Sequence, residues 1–192
     1  MRNKPYTKMQ EERTIAGETE DQIWNQVNAD FNPENDLLDY HVVLDQAGRR
    51  ILLDIGIDLG GGFESGSAYT TFSAYLYGRS PFRFSIHKQG FIDEIGKFFG
   101  MQDVVLGYLE FDEKFIVKTN SEVKAAEVFA DDNVRKVLLS YQDLEFGIVE
   151  YAMDNNPEKA PFLELKIDAG ITDPVLLREI YSAFYSVIQI ID

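Results

Sequence analysis

The sequence contains no cysteine, only two histidines and one tryptophan, and no long apolar run. The absence of cysteine excludes disulfide bonds, a cysteine nucleophile and thiolate metal sites. The longest apolar stretches fall short of the ~20 residues that a transmembrane helix needs. The first residues also lack the apolar segment of a secretory signal. We therefore expect a cytoplasmic protein with no membrane-bound role.

Basic residues are scarce as well. The chain has 18 Lys and Arg against 33 Asp and Glu, which gives a formal net charge of −15. A protein that binds nucleic acid needs Lys and Arg to displace the counterions of the phosphates, so nucleic acid is excluded as the expected partner. Hydrophobic residues make up 45% of the 192 positions. That content is enough for a packed core and excludes general disorder.

The acidic residues are concentrated in one part of the chain. Residues 18–58 carry ten of them against two basic residues, Arg49 and Arg50. The ten are Glu18, Glu20, Asp21, Asp30, Glu34, Asp36, Asp39, Asp45, Asp54 and Asp58. We predict that this segment forms an acidic surface, and that a basic protein partner binds to it.

The first half of the chain has the pattern of one helix followed by strands. Residues 1–17 are polar and predict a flexible arm, and residues 18–192 predict one domain. A helical face that includes Trp24 and Val27 follows, and Pro33 ends it. Apolar and polar residues then alternate in four runs bounded by turn residues, which predicts an antiparallel four-strand meander. The runs are Leu37–Asp45, Arg50–Leu59, Ser67–Tyr77 and Phe82–Lys88.

The second half mixes short helices with strands. A short helix is predicted over Ile92–Phe99, closed by Gly100, and a capping box from Thr119 to Glu122 opens another that runs to Ala130. Asp131 caps a further helix, and Asp173 with Pro174 begins a long C-terminal one. Strands are predicted at Val104–Leu109, Phe115–Lys118, Phe146–Ala152 and Phe162–Ile167. Strands grouped in this way, without strict β-α alternation, predict an α+β fold with a mostly antiparallel sheet packed by helices.

The C-terminal helix carries more apolar residues than one face can hold. We expect its buried stripe to be Leu176, Ile180, Ala183, Phe184, Val187 and Ile191. Leu177, Ile188 and Ile190 lie beside that stripe. The helix is therefore either buried on two sides or used for self-association.

Polar side chains of the predicted meander share one face of the sheet. His41 lies on the first strand, opposite Asp54 and Asp58 on the second, and Arg83 and His87 project from a later strand. A histidine beside two carboxylates is the smallest set of groups that could carry out acid–base catalysis or bind a metal ion. Antiparallel sheets also commonly leave one face in solvent, and such faces have this composition. Both interpretations stay open.

Three other motifs that would indicate a catalytic or binding site are incomplete or absent. The glycine-rich run 59–67 lacks the Lys-Ser/Thr pair and the following helix of a phosphate-binding loop. In the loop that begins at Asp30, Asn35 and His41 stand where a calcium-binding loop needs Gly and Glu. No Gly-x-Ser-x-Gly is present. We expect no cofactor and no metal.

The stretch from Leu109 to Val117 has the pattern Phe-Asp-x-x-Phe-x-Val. Segments Ser121–Ala130 and Asp132–Leu139 follow, then Phe146–Tyr151. With the helix Pro174–Ile190, this arrangement resembles an uncharacterised bacterial domain family over about residues 109–192. The resemblance implies a strand carrying both Phe residues, two helices and closing strands. That domain often follows two membrane-spanning helices, which this sequence lacks. The resemblance implies no activity.

These observations favour a non-enzymatic binding or scaffold domain with an acidic surface. The alternative is a small-molecule or metal-dependent enzyme that uses the face formed by His41, Asp54 and Asp58. The two hypotheses differ in whether the histidines and carboxylates converge in one concave site.

Overall fold

A computed structural model describes residues 5–31, 38–61, 65–78, 80–88, 100–152 and 159–192. Within them the helices are α1 Pro5–Glu11, α2 Glu20–Asp30, α3 Leu109–Lys114, α4 Glu122–Val128, α5 Asp132–Leu139 and α6 Pro174–Ile191. The strands are β1 Thr14–Gly17, β2 Asp39–Gln46, β3 Arg49–Asp58, β4 Ser67–Tyr75, β5 Phe84–Lys88, β6 Gln102–Val104, β7 Phe115–Thr119, β8 Leu144–Ala152 and β9 Lys159–Ile167. The helix expected at Ile92–Phe99 lies outside the described residues.

All nine strands belong to one sheet, in the order β1-β2-β3-β4-β9-β8-β5-β7-β6. Every neighbouring pair is antiparallel except β1 with β2. The predicted α+β class with a mostly antiparallel sheet and a long C-terminal helix is therefore confirmed.

The meander has three strands, not the expected four. Strands β2, β3 and β4 are consecutive neighbours, but the next neighbour of β4 is β9. Strand β5 lies between β8 and β7, on the far side of the β8–β9 hairpin. The alternation of residues determines which face of a strand is buried, and it carries no information about which strand lies alongside. The position of β5 therefore could not be predicted from its own pattern.

One face of the sheet packs against α2, α6 and the shorter helices and forms the main core. Phe184 of α6 lies at the centre, with its ring 5.9 Å from that of Phe72 and 6.1 Å from that of Phe146. Trp24 of α2 packs edge-on against Tyr181 at 5.6 Å. The rings at these contacts are fully buried, so each adds a large apolar area to the stability of the fold.

The other face of the sheet, called the outer face below, is partly covered by the N-terminal segment. Residues 5–17, expected to belong to a flexible arm, form α1 and the edge strand β1. Met9 packs on Val43 and Leu52, which are outer-face residues of β2 and β3. The Gln26 side chain donates a hydrogen bond to the outward Ala16 carbonyl at 3.0 Å and so blocks part of the free edge of β1.

Helix α6 begins as predicted, because Asp173 accepts a hydrogen bond from the Val175 amide at 2.8 Å. Its buried stripe differs from the expected one by one position. Leu177 is completely buried and Leu176 is 41% exposed. Ile188 is also buried inside the chain, so two of the three residues behind the expectation of self-association have a role in the core. Self-association stays a prediction.

The segment that carries the family resemblance divides into a helix and a strand. Phe111 lies on α3 and Phe115 begins β7, and their rings are 5.1 Å apart. The prediction of a strand at Val104–Leu109 was wrong: β6 lies earlier and ends at Val104, residues 105–108 are not in a strand, and Leu109 already begins α3. The N-cap of α4 is Ser121 and not Thr119. The Thr119 hydroxyl instead donates a hydrogen bond to the Arg83 carbonyl and accepts one from the Ser121 amide. Membership of the resembled family stays a prediction.

Candidate functional site

The two histidines lie in one straight row across the outer face. In the strand register His41 faces Asp54, Asp54 faces Thr71, and Thr71 faces Lys166. The row continues from Lys166 to Glu145 and from Glu145 to His87. The row thus runs from β2 to β5, five strand spacings of ~4.8 Å, so the histidines are about 24 Å apart. They do not converge on one site.

Asp54 is the centre of a closed polar cluster. Its carboxylate forms an ion pair with Lys8 of α1. It also lies 2.6 Å from His41 Nδ1, a contact without the alignment of a hydrogen bond, and accepts one from the Tyr69 hydroxyl at 3.2 Å. The side chain of Asp54 is only 13% exposed. Its charge is thus balanced inside the molecule, and the cluster fastens α1 to the sheet.

Asp58 and Arg83 lie away from this cluster. Asp58 is on the same face of β3 but four residues further, about 13 Å from Asp54 along the strand. It is exposed, and it accepts a hydrogen bond from the Gly60 amide at 2.9 Å. Arg83 precedes β5 and pairs with Glu150 at 3.1 Å. The five predicted binding residues are thus distributed over the face and form no single group.

His87 lines a small hollow where β5, β8 and β9 meet. It is 4% exposed, and its Nδ1 is buried without a hydrogen-bond partner. The other residues of the hollow are Lys88, Asp143, Leu144, Glu145 and Asp168. The lysines Lys88 and Lys166 pair with Asp143 and Asp168, at 3.1 and 2.8 Å. Glu145, the direct neighbour of His87 on β8, has no ion pair with a described residue.

Glu164 forms a second polar group near the middle of the outer face. Its Oε2 accepts hydrogen bonds from the Tyr151 hydroxyl at 2.7 Å and from the Ser73 hydroxyl at 3.1 Å. Burial raises the pKa of Glu164, although these two hydrogen bonds favour the carboxylate. Burial and the Glu164 charge likewise raise the pKa of Tyr151. The aromatic neighbours Tyr75 and Phe162 keep this group largely dry.

Carboxylates collect at one end of the outer face. Asp39 begins β2, Asp58 ends β3, Asp168 follows β9, and Asp143 and Glu145 lie at the start of β8. The Asp168 amide donates a hydrogen bond to the Asp143 carbonyl at 3.1 Å, so the backbone pairing of β8 with β9 continues to these two residues. We call Asp39, Asp58, Asp143, Glu145 and Asp168 the acidic rim. It spans four strand spacings, about 19 Å.

Much of the acidity predicted for residues 18–58 is neutralised by ion pairs. Glu20 and Asp21 pair with Arg178 of α6, Asp30 pairs with Arg13, and Asp54 pairs with Lys8. Among the described residues of this segment, four acidic side chains make no such ion pair. They are Glu18, Asp39, Asp45 and Asp58. The acidic surface is therefore smaller in this segment than the sequence suggests, and it extends beyond the segment to the rim.

Sequence reasoning did not identify Asp143, Glu145, Asp168 or Glu164. The alternation of β8 and β9 places Glu145 and Glu164 on the polar side, and that signal was present. What the sequence did not contain was the pairing of β8 with β5 and of β9 with β4. Without those two pairings, nothing connects these carboxylates with His87 or with Asp58.

Within the described part of the chain, no three or more His, Asp or Glu side chains are arranged to hold a metal ion. Helices in the same part of the chain are all too short or too polar to cross a membrane.

No family model matches the chain, and no curated protein matches it. A solved structure with a similar backbone is the mycobacterial trehalose monomycolate transport factor A, TtfA. The two chains share 6% sequence identity, the alignment covers 78% of this chain and 70% of the other, and the TM-score is 0.47.

Proposed function

We propose that the protein is a non-catalytic binding domain whose acidic rim holds a basic segment of a partner protein. The observation that carries this proposal is the rim itself: five carboxylates from three separate parts of the chain lie toward one end of one sheet face, in a band about 13 Å deep along the strands, from the row of Glu145 to that of Asp58. Three of them, Asp39, Asp58 and Glu145, have no ion pair with another described residue. Unpaired charge that is exposed and of one sign attracts and orients a partner of opposite sign.

The geometry also argues against the rival hypothesis of an enzyme that uses His41, Asp54 and Asp58. A catalytic pair has to reach the same reacting atom. Asp54 is already held by Lys8 and Tyr69, and Asp58 is about 13 Å away along the strand. A metal ion or small molecule that binds at this face would raise the melting temperature of the protein. Measuring the melting temperature with a panel of divalent cations and metabolites therefore tests the enzyme hypothesis directly.

The dimensions of the rim indicate the form of its partner. About 19 Å corresponds to six residues of an extended chain, at ~3.3 Å per residue. A segment with lysine or arginine at several of those positions places positive charge opposite each end of the rim. Such contacts are screened by salt, because the carboxylates are exposed.

The test is the binding of an octalysine peptide, measured by fluorescence anisotropy at low and moderate salt. We expect saturable binding that weakens as salt is added. The double variant Asp39→Asn/Asp58→Asn should bind about two- to fivefold more weakly for each charge removed. Its matched control is Asp103→Asn/Glu113→Gln, which removes the same charge from exposed positions on β6 and α3.

Equal weakening in both double variants would mean that only net charge matters, and the rim would have no special role. Absence of binding at low salt would refute the proposal altogether.

A further inference from the structure

Helix α1 lies on the outer face as a ligand lies in a groove, and two consecutive residues anchor it to the sheet. The Lys8 side chain forms an ion pair with Asp54, and the Met9 carbonyl accepts a hydrogen bond from the Arg50 side chain. The Met9 side chain is 5% exposed and belongs to a cluster of buried apolar residues. One basic side chain, one apolar side chain and one backbone carbonyl therefore make the anchor.

The groove under α1 is built by the sheet. Its buried apolar floor comes from β2, β3 and β9, through Val43, Leu52, Ala160 and Phe162. Strand β4 lies between β3 and β9 and places the small Ser73 beside Leu52, and Met9 is the buried member of the cluster that comes from outside the sheet. Strand pairing fixes the positions of the floor, and also those of Asp54 and Arg50. The groove therefore does not depend on α1 for its shape.

Helix α1 depends on the groove, in contrast. It has seven residues, and an isolated helix of that length is not stable in water. Its departure leaves the main core intact, because that core lies on the opposite face of the sheet. It also leaves Asp54, whose side chain is 13% exposed, without its lysine. A largely buried carboxylate that loses its cation is unfavourable, so the open groove selects a replacement cation next to an apolar side chain.

The surroundings of the groove favour a more basic occupant than α1. Asp39 of the acidic rim is the diagonal neighbour of Asp54 across β2 and β3, about 7–8 Å away. It has no ion pair with another described residue. The α1 of a second copy makes the same contacts as the chain's own α1, which has the advantage of being tethered at a high effective concentration. A partner segment with further basic residues gains the rim carboxylates in addition.

We propose that α1 is an internal competitor that closes this groove, and that the groove binds a basic segment of a partner protein in which a lysine precedes a long apolar side chain. The lysine takes the place of Lys8 at Asp54, and the apolar side chain takes the place of Met9. The contacts of the remaining basic residues with the acidic rim rest on the proposed function. The groove adds a selectivity that charge alone does not provide.

The chain has four methionines, so the displacement of α1 can be measured in a spectrum of isotope-labelled methionine methyl groups. The variant Met9→Leu identifies the Met9 signal. The probe peptide has the sequence of residues 5–11 with three lysines added at each end. We expect it to shift the Met9 signal saturably toward that of an exposed methionine. The same peptide with aspartate in place of methionine should leave the signal unchanged, and so should octalysine, which has no apolar side chain.

A full-length variant with an open groove provides a second measurement. Lys8→Glu/Met9→Asp removes both side-chain contacts of the anchor, and near-UV circular dichroism checks that the core around the buried Trp24 is intact. This variant should bind the probe peptide at least about tenfold more tightly than the wild type does, because no tethered competitor remains. The matched control Gln10→Ala/Glu11→Gln changes exposed positions of α1 and should bind like the wild type.

Equal affinity of the wild type and the open-groove variant would overturn the proposal, and so would a Met9 signal that stays fixed at the highest peptide concentration. If the double substitution disrupts the core, the Met9 signal of the wild type decides alone. A shift of that signal by octalysine would show that charge alone displaces α1, which also contradicts the proposal.

Two further results separate this proposal from its neighbours. Wild-type dimers in sedimentation equilibrium that the open-groove variant does not form would assign the groove to a second copy, and not to a partner protein. If octalysine fails to bind while the probe peptide still displaces Met9, the rim proposal is refuted and the groove survives. If octalysine binds while the probe peptide leaves Met9 in place, the rim survives and the groove proposal is wrong.

Discussion

At the scale of single residues, the outer face shows how a buried charge is accommodated without an ion pair. Glu164 is largely covered by aromatic side chains and is held by two hydroxyl groups, Tyr151 and Ser73. Burial disfavours its charged form, and the hydrogen bonds only partly compensate, so the pKa of Glu164 is raised above its usual 4.5. The folded state therefore binds this proton more tightly than the unfolded chain does.

This raised pKa has a direct consequence for stability. The Glu164 proton is lost as the pH rises through the folded-state pKa, and the stability that it contributes is lost with it. Replacing Glu164 with Gln removes the charge and keeps an acceptor for both hydroxyls. At pH 7 we expect Glu164→Gln to be more stable than the wild type by up to about 1 kcal/mol. The difference should shrink as the pH falls toward 4.5, the usual value.

Urea unfolding at several pH values measures this effect. The control is Ser73→Ala, which removes one hydrogen bond from a residue that is 1% exposed. It should be destabilised by about 1 kcal/mol. A Glu164→Gln variant that is less stable than the wild type at pH 7 would show that the hydrogen bonds of the carboxylate outweigh its burial.

At the scale of elements, the helices and strands begin and end where local chemistry directs them. Asp131 and Asp173 cap α5 and α6 as predicted, through hydrogen bonds to the amides of Asn133 and Val175 at 2.8 Å. One exception is the junction of α3 and β7, where a segment that the family resemblance implied to be one strand is a helix followed by a strand. There Phe111 and Phe115 are buried together, on opposite sides of the junction.

The Phe111–Phe115 contact should be a main anchor of this part of the fold. Phe115 is 2% exposed. Phe115→Ala should therefore lower the free energy of unfolding by about 3–5 kcal/mol, as other truncations of buried Phe do. The control is Leu109→Ala on α3, where the side chain is 75% exposed. That change should stay within about 0.5 kcal/mol. If the Phe115→Ala variant were as thermally stable as the wild type, the assignment of Phe115 to the core would be wrong.

At the scale of the whole molecule, charge is the dominant feature. The formal net charge is −15, and the excess carboxylates repel one another more strongly in the folded protein than in the unfolded chain. Internal ion pairs compensate part of this repulsion. The ion pairs of Arg178 with Glu20 and Asp21 join α6 to α2, and that of Arg49 with Asp192 joins α6 to β3. Added salt screens both the attraction within these ion pairs and the repulsion among the excess carboxylates.

We expect the repulsion to dominate at neutral pH. Raising NaCl from about 20 mM to about 300 mM shortens the screening length from about 20 Å to about 6 Å, which removes most of the repulsion between distant surface charges. The melting temperature should then rise by about 2–4 °C, which corresponds to ~1 kcal/mol for a chain of this length. Near pH 4.5, where the net charge approaches zero, the same addition should produce no rise. A fall at neutral pH would show that the ion pairs contribute more than the repulsion costs.

The sequence by itself determined the features that depend on neighbouring residues. Alternation identified β2, β3 and β4 and their buried faces, and capping residues located the start of α5 and α6. These signals are local, because the conformation and burial of a side chain depend on its spacing along one element. Composition also excluded every function that needs cysteine, and it established the excess of negative charge.

Only the tertiary structure decided what lies next to what. The insertion of the β8–β9 hairpin between β4 and β5 separated His41 from His87 and put Glu145 beside His87. It also joined Asp143 and Asp168 to the end of the face that holds Asp39 and Asp58. Strand pairing depends on the packing of the whole core and not on the pattern of one strand. The charge of this protein was therefore readable from its sequence, whereas the acidic rim exists only in the fold.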